Sequence, residues 1–348
     1  MGHGRPPATP GALRRLREEI GEAGLHLDGS QPWHELVLAE LDYARRPKIH
    51  ERRIPSYGAF IAPSVSSWAW EESTELTIER RPIVDRSTDA ARRFADGISS
   101  WMIRHVDGDD EWAVFDRPAG SERDLVVLAE ALGAVVVQRH PAGLVRVVGD
   151  FGVYRWDNMT WHHEPRVATW MEAVTRGAGA GTPERKVVET LLEFAVHDLG
   201  ARNIGATLIY KADPALRAGI EQRLPDPPPL KVKRPADLAP LRHVLAQIDG
   251  AALFDAHGTL VEIGVRLVPS VEAEADVEGF RGMRHTSARR YSFDDPHAVV
   301  IVVSEEGPVT VLKAGQKLGA SALQPETPDD GEADIVVGGR RTPEGASA

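Results

Sequence analysis

The spacing of apolar positions is regular in the second half of the chain and mixed in the first. Val187, Val188, Leu191, Leu192, Ala195, Val196 and Leu199 recur at three- and four-residue steps. That is the stripe of a helix buried on one side. Thr182 suits its N-cap, Pro183 its first position and Gly200 its stop. "IGATLIY" (204–210) is an unbroken apolar run and predicts a buried strand. "LPDPPPLKVKRP" (224–235) reads as a stiff, exposed connection and "DLAPLRHVLAQ" (237–247) as a short helix. "DGAALFDAHGTLVEIGVRLV" (249–268) predicts a hairpin turning at His257–Gly258. "MRHTSARRYS" (283–292) predicts a helix that stops before Pro296. "AVVIVVS" (298–304) and "PVTVLKAG" (308–315) predict strands joined through "EEG". This order of helices and strands predicts an α/β domain, a mixed sheet flanked by helices.

The first half predicts a separate α+β domain. "ALRRLREEIGEAG" and "DLVVLAEAL" read as helices. So does "DAARRFADGISSWMIRHV", where Ala91, Phe94, Ala95, Ile98, Trp101 and Met102 fall near a 3.6-residue period. "GAVVVQRHPAGLVRVVGDFGVYRWD" alternates like a strand pair turning at Pro141–Gly143. His162 and His163 in "WHHEP" would point to opposite faces of a strand, so a surface or partly buried strand end is favoured over a metal site.

All eight tryptophans lie at or before Trp170. "RGAGAGTPER" follows directly. A dinucleotide fingerprint needs a strand before its glycines, and "WMEAVT" reads as the end of a helix, so this stretch reads as a linker. The expected organisation is an α+β domain at 1–175, a linker at 176–182, an α/β domain at 183–320 and a disordered tail at 321–348.

Composition narrows the function. The 348 residues contain no cysteine, which excludes disulfides, thiolate catalysis and Cys-based zinc sites. A net charge of −11 argues against nucleic acid or an anionic membrane as a partner through bulk charge. The N-terminus lacks the apolar core of a secretory signal, and no window approaches the ~18 apolar residues of a membrane-spanning helix. A cytoplasmic protein is expected.

Three motifs could carry chemistry. Asp249 and Gly250 precede an apolar strand, where a carboxylate can hold a divalent cation or take a proton from a hydroxyl; Asp-Gly is also an ordinary turn. "GMRHTSARR" (282–290) places Gly282 at a helix start, followed by Arg284 and His285. Free amides, the helix dipole and a guanidinium fork suit phosphate oxygens, although a surface helix with ordinary basic residues reads the same. Ser304, Glu305 and Glu306 stand at a strand end and could hold a metal or a base edge, or form a charged hairpin tip. Together the three suit nucleotidyl transfer, which asks for positioning and charge neutralisation rather than covalent work.

These motifs, in this order, resemble the diadenylate cyclase domain, the nucleotide-binding domain of the DNA-integrity scanning proteins. "ERKVVETLLEFAVHDLGARNIGATLIY" resembles that family's opening helix and strand, and the likeness runs over roughly 183 to 318. The resemblance implies an ATP-binding fold in which two copies meet face to face and, with Mg²⁺ or Mn²⁺, form cyclic di-AMP and two pyrophosphates. It implies that Asp249 assists the 3′-hydroxyl and holds metal, and that Arg284 and His285 contact phosphates. It implies that Gly250, Ala251, Gly282, Met283, Thr286, Ser304 and Glu305 line the nucleotide, with Glu306 a further metal ligand.

The chain departs from the family at two positions. Met283 stands where the family has threonine, and Thr286 where it has a second arginine. A lost charge-assisted bond costs about 1.5–3 kcal/mol. Arg289 and Arg290, about one turn further on, are candidates to replace it. The alternative is a degenerate module that binds ATP or cyclic di-AMP without turnover. The resemblance implies a sensor or regulatory role for 1–175 and a nucleotide-binding role for 183–320.

Overall fold

The computed structural model describes residues 9–47, 54–63, 76–83, 88–174, 183–214, 219–221, 224–279, 282–305 and 309–320. The expected linker, Thr182, Glu306 and the tail from 321 lie outside the described residues.

The first domain is built on an eight-stranded mixed sheet. Its strands are β1 (Tyr57–Ile61), β2 (Ile78–Pro82), β3 (Ser100–Arg104), β4 (Glu111–Phe115), β5 (Val135–Arg139), β6 (Val145–Gly149), β7 (Gly152–Trp156) and β8 (Trp161–Glu164). Their order is β2-β4-β3-β1-β5-β6-β7-β8, with β1 and β3 parallel. Helices α1 (Pro10–Glu22) and α2 (Pro32–Arg45) bury Ile20, Val37, Leu38 and Leu41 against one face. After the short α3 (Thr88–Ala91), α4 (Glu122–Leu132) packs Leu125, Leu128 and Leu132 against the other. The start of α4 is fixed by a reciprocal capping box between Ser121 and Asp124, and its end by Gly133 at φ 55°.

The helix expected over 89–106 is a correction. Only 88–94 is helical, and Ser100–Arg104 is strand β3. The Asp96 carboxylate accepts from the amides of Ile98, Ser99 and Ser100, and Gly97 sits at φ 70°. A side chain that collects three consecutive amides competes with the helix ladder. The expected strand pair over 133–157 is three strands, with a second turn between Gly149 and Gly152. His162 and His163 stand on β8. One meets Asp157 at 2.9 Å and the other the Phe151 carbonyl at 2.9 Å.

The second domain is a helix–sheet–helix sandwich. Its strands are β9 (Ala206–Tyr210), β10 (Ile220–Glu221), β11 (Ala251–Phe254), β12 (Leu260–Leu267), β13 (Val299–Val303), β14 (Val309–Lys313) and β15 (Gln316–Ala320), in the order β10-β12-β11-β9-β13-β14-β15. One face of the sheet carries α5 (Val167–Val174), α6 (Pro183–Glu193) and α7 (Pro235–Leu245). α5 packs Val167, Trp170, Met171 and Val174 into this core, so it travels with the second sheet although it precedes 176–182. α8 is Val271–Asp276, and α9 (Met283–Asp294) lays Ala288 and Tyr291 on the opposite face. The connection 224–235 is largely exposed, but Val232 is fully buried.

The expected stop at Gly200 is also corrected. α6 widens into a π-turn at Phe194–Leu199 and continues through Gly200, whose φ of −58° is helical. It ends at Asn203, whose φ is 56°.

Candidate functional site

Strand register gathers the motifs. β9 and β11 are parallel, with Ala251 opposite Thr207. Asp249 lies two residues before β11, at the end of the sheet where β9 begins. β9 and β13 are antiparallel, with Val303 opposite Ala206. Continuing by one residue sets Ser304 beside Gly205 from the other side. Asp249, Gly205 and Ser304 therefore stand at the same end of the sheet, where β9 and β11 begin and β13 ends.

Arg284 packs against Gly205. A Cβ on Gly205 would lie 2.4 Å from an Arg284 guanidinium nitrogen and 2.7 Å from Cγ of Glu305. Arg284 and Glu305 form an ion pair at 3.7 Å. The missing side chain at Gly205 is what seats the guanidinium. Asp249 is exposed, and among the described residues its carboxylate has no side-chain partner.

Gly282 takes φ 99° at the start of α9, with open space where a Cβ would be. Backbone conformation, not crowding, calls for glycine there. Gly250 is a glycine for a reason of packing as well as of backbone. Its φ is 104°, and a Cβ would meet the Gly264 carbonyl carbon at 2.7 Å and the Val265 oxygen at 2.8 Å. The close approach it permits is to β12. Ala251 is buried as the first residue of β11.

α9 is held rigidly. Lys211 at the end of β9 pairs with Asp295 at 2.6 Å, and Tyr291 donates to the same carboxylate at 3.2 Å. Arg289 donates to the carbonyls of Gly315 and Glu278, and Arg290 to those of Val277 and Glu274. Each thus spends its Nε and one terminal nitrogen on backbone carbonyls. Thr286 donates its hydroxyl to the Gly282 carbonyl at 3.1 Å, and Met283 is 90% exposed. Burial, with Arg284 and Lys317 nearby, holds the His285 pKa below its ordinary 6.5, so the imidazole is neutral at pH 7. Gly205 and Lys317 were not singled out in the sequence. A glycine directly before an apolar strand was the one available signal for the first.

Gly205→Ala is expected to push Arg284 aside rather than break the fold, because the atoms it meets belong to flexible side chains. Unfolding free energy, measured by chemical denaturation, should stay within ~0.5 kcal/mol of wild type.

The fold is thus two mixed-sheet domains in series, the second with polar groups gathered at one end of its sheet. Residues 14–165 match the family described as "Probable sensor domain DACNK". Residues 193–317 match that described as "DisA bacterial checkpoint controller nucleotide-binding". The two matched segments follow one another in the order of the two sheets. A solved structure described as a hypothetical membrane spanning protein from Bacillus cereus is 20% identical, with a TM-score of 0.34, over 44% of this chain and 70% of its own. A double mutant of DacA from Staphylococcus aureus is 17% identical, with a TM-score of 0.28, over 40% of this chain and 87% of its own. No curated protein matches. Among the described residues of this chain, no helix is long and apolar enough to cross a membrane.

Proposed function

We propose that the chain is a diadenylate cyclase. Two copies, each holding one ATP, face each other. Each 3′-hydroxyl oxygen bonds to the partner nucleotide's α-phosphorus as the bond to pyrophosphate breaks. Two ATP give cyclic di-AMP and two pyrophosphates, with both hydroxyl protons released. The observation that carries this reading is Arg284 seated on Gly205, at the end of the sheet where Asp249 and Ser304 also stand.

Asp249 receives the 3′-hydroxyl proton or orients that hydroxyl. Arg284 binds phosphate oxygens, and His285, neutral at pH 7, donates one further hydrogen bond. Gly250, Gly282, Met283, Thr286 and Ser304 lie along the nucleotide, and Glu305 holds Arg284 in place. Among the described residues no three His, Asp or Glu side chains gather into a metal cage. The exposed Asp249 carboxylate fits Mg²⁺ or Mn²⁺ held mainly by substrate phosphates. Such an ion would neutralise charge building on them.

One observation favours the alternative, a module that binds ATP or cyclic di-AMP without turnover. Thr286 is turned to its own helix and Arg289 and Arg290 are engaged elsewhere, so a second guanidinium is missing from α9. Concentration dependence separates the two. A cyclase assembled from two copies shows specific activity that rises with protein concentration and then levels. ATP binding with no cyclic dinucleotide at any concentration, and turnover gained in Thr286→Arg, would establish the alternative.

A further inference from the structure

The candidate site is short of cations on its own helix. Thr286 turns back to the Gly282 carbonyl, and Arg289 and Arg290 each give two nitrogens to backbone carbonyls. Arg284 and a neutral His285 leave most of the charge of a triphosphate unmatched. A neighbouring strand, β15, brings another cation to the same helix.

β15 presents Lys317 to α9. Residues directly opposite on paired strands share a face, and Lys317 stands opposite Leu312 on β14. Leu312 shares a buried cluster with Ala288 and Tyr291 of α9. Lys317 therefore projects from the face of the sheet that α9 covers.

Its height along α9 follows from a fixed contact. Arg289 donates to the Gly315 carbonyl at 2.8 Å, and the Gly315 amide donates to the Ser292 hydroxyl at 3.1 Å. β13 ends at the site, β14 leads away from it and β15 returns toward it. α9 begins at that same end, with Arg284 on Gly205, and runs away. Counted from the Gly315–Arg289 contact toward the site, two residues of strand advance about 6.6 Å and four residues of helix about 6 Å. Lys317 and His285 thus come abreast.

The charges agree with this placement. Burial, then Arg284 and Lys317, hold the His285 pKa down, so both cations stand close to one imidazole. Lys317 is exposed, and among the described residues no carboxylate pairs with its ammonium. Arg284 by contrast keeps Glu305 at 3.7 Å. An ammonium and a guanidinium repel each other, and an anion bound between them reverses the sign of that interaction.

We propose that Lys317 is a further phosphate ligand of the candidate nucleotide site, meeting the triphosphate on the far side of His285 from Arg284. The inference takes its ligand from the cyclase reading and its residue from the packing of β15 against α9. Lysine binds phosphate as a point charge on a flexible stem, so it needs none of the fixed geometry that a second arginine on α9 would supply.

The test reads binding, so it stands apart from turnover. Full-length wild type, Lys317→Gln and Lys317→Arg are titrated calorimetrically with ATP in the presence of Mg²⁺ and, separately, with adenosine. Lys317→Gln should weaken ATP about tenfold or more, the loss of one charge-assisted contact, and leave adenosine affinity and the chemical-denaturation midpoint unchanged. Lys317→Arg, which keeps the charge, should recover most of the ATP affinity. Equal ATP affinity in wild type and Lys317→Gln would overturn the proposal and leave the cyclase reading standing. An equal loss for adenosine, or a loss matched by a lowered denaturation midpoint, would overturn it by making Lys317 structural. A wild type that binds no ATP would remove the cyclase reading and the role of Lys317 together.

Discussion

Asp249→Asn should reduce cyclic di-AMP formation about 10²- to 10⁴-fold, the usual contribution of a positioned acid or base. The fold should be untouched. Asp249 is exposed, and among the described residues its side chain holds no partner, so unfolding free energy should stay within ~0.5 kcal/mol of wild type. Asparagine keeps the shape and removes both the charge and the basicity. A variant that turns over at the wild-type rate would remove Asp249 from the chemistry, whatever the register of β9 and β11 implies. A variant that loses activity and stability together would make the residue structural.

Glu122→Gln should be the most destabilising single change in the first domain, costing about 3–5 kcal/mol, because it leaves buried guanidinium groups uncompensated. The Glu122 side chain is 0% exposed and gathers Arg146, Arg155 and, from the second domain, His197. The α4 capping box is made by Ser121 and Asp124 and survives the change, so the loss belongs to the ion group and not to the helix start. Burial alone would push the Glu122 carboxyl up. The arginines and His197 outweigh it and hold the pKa well below the ordinary 4.5. A depressed carboxylate contributes stability that is complete above its unfolded pKa and lost as pH falls through the folded one. The gap between wild type and variant should therefore be full near pH 7 and shrink well below pH 4.5. Chemical denaturation at both ends of that range measures it. A difference under ~1 kcal/mol at pH 7 would show that the group is not the keystone described here.

The second domain was readable because its pattern has one interpretation. β9 and β13 are unbroken apolar runs buried on both faces, as strands covered by helices are. The α6 stripe from Val187 to Leu199 is wholly buried. The first domain misled where one side chain overrode a period. Ala91, Phe94, Ala95, Ile98, Trp101 and Met102 fit a helix, yet Asp96 takes three amides and Phe94 is left 60% exposed. α2 went unread because buried Glu40, Asp42 and His34 interrupt its stripe. Glu40 is satisfied through Tyr57, Arg92 and Arg104, all distant along the chain.

The candidate site shows the same division. Asp249, Arg284, His285, Ser304 and Glu305 stand in recognisable motifs. The space that Gly205 yields to Arg284 is a tertiary fact with no local signature. The same holds for Arg289 and Arg290, which look free in sequence and are spent on backbone carbonyls. The bridge from Glu122 to His197 joins residues 75 apart, and neither lies in a motif.

The most direct measurement is product analysis of the purified full-length chain incubated with ATP and Mn²⁺. If the carboxylate at 249 and the guanidinium at 284 serve one bound triphosphate, chromatography will show cyclic di-AMP with two pyrophosphates for each molecule formed. ATP that binds and is recovered unchanged, at protein concentrations high enough for two copies to meet, would contradict the account.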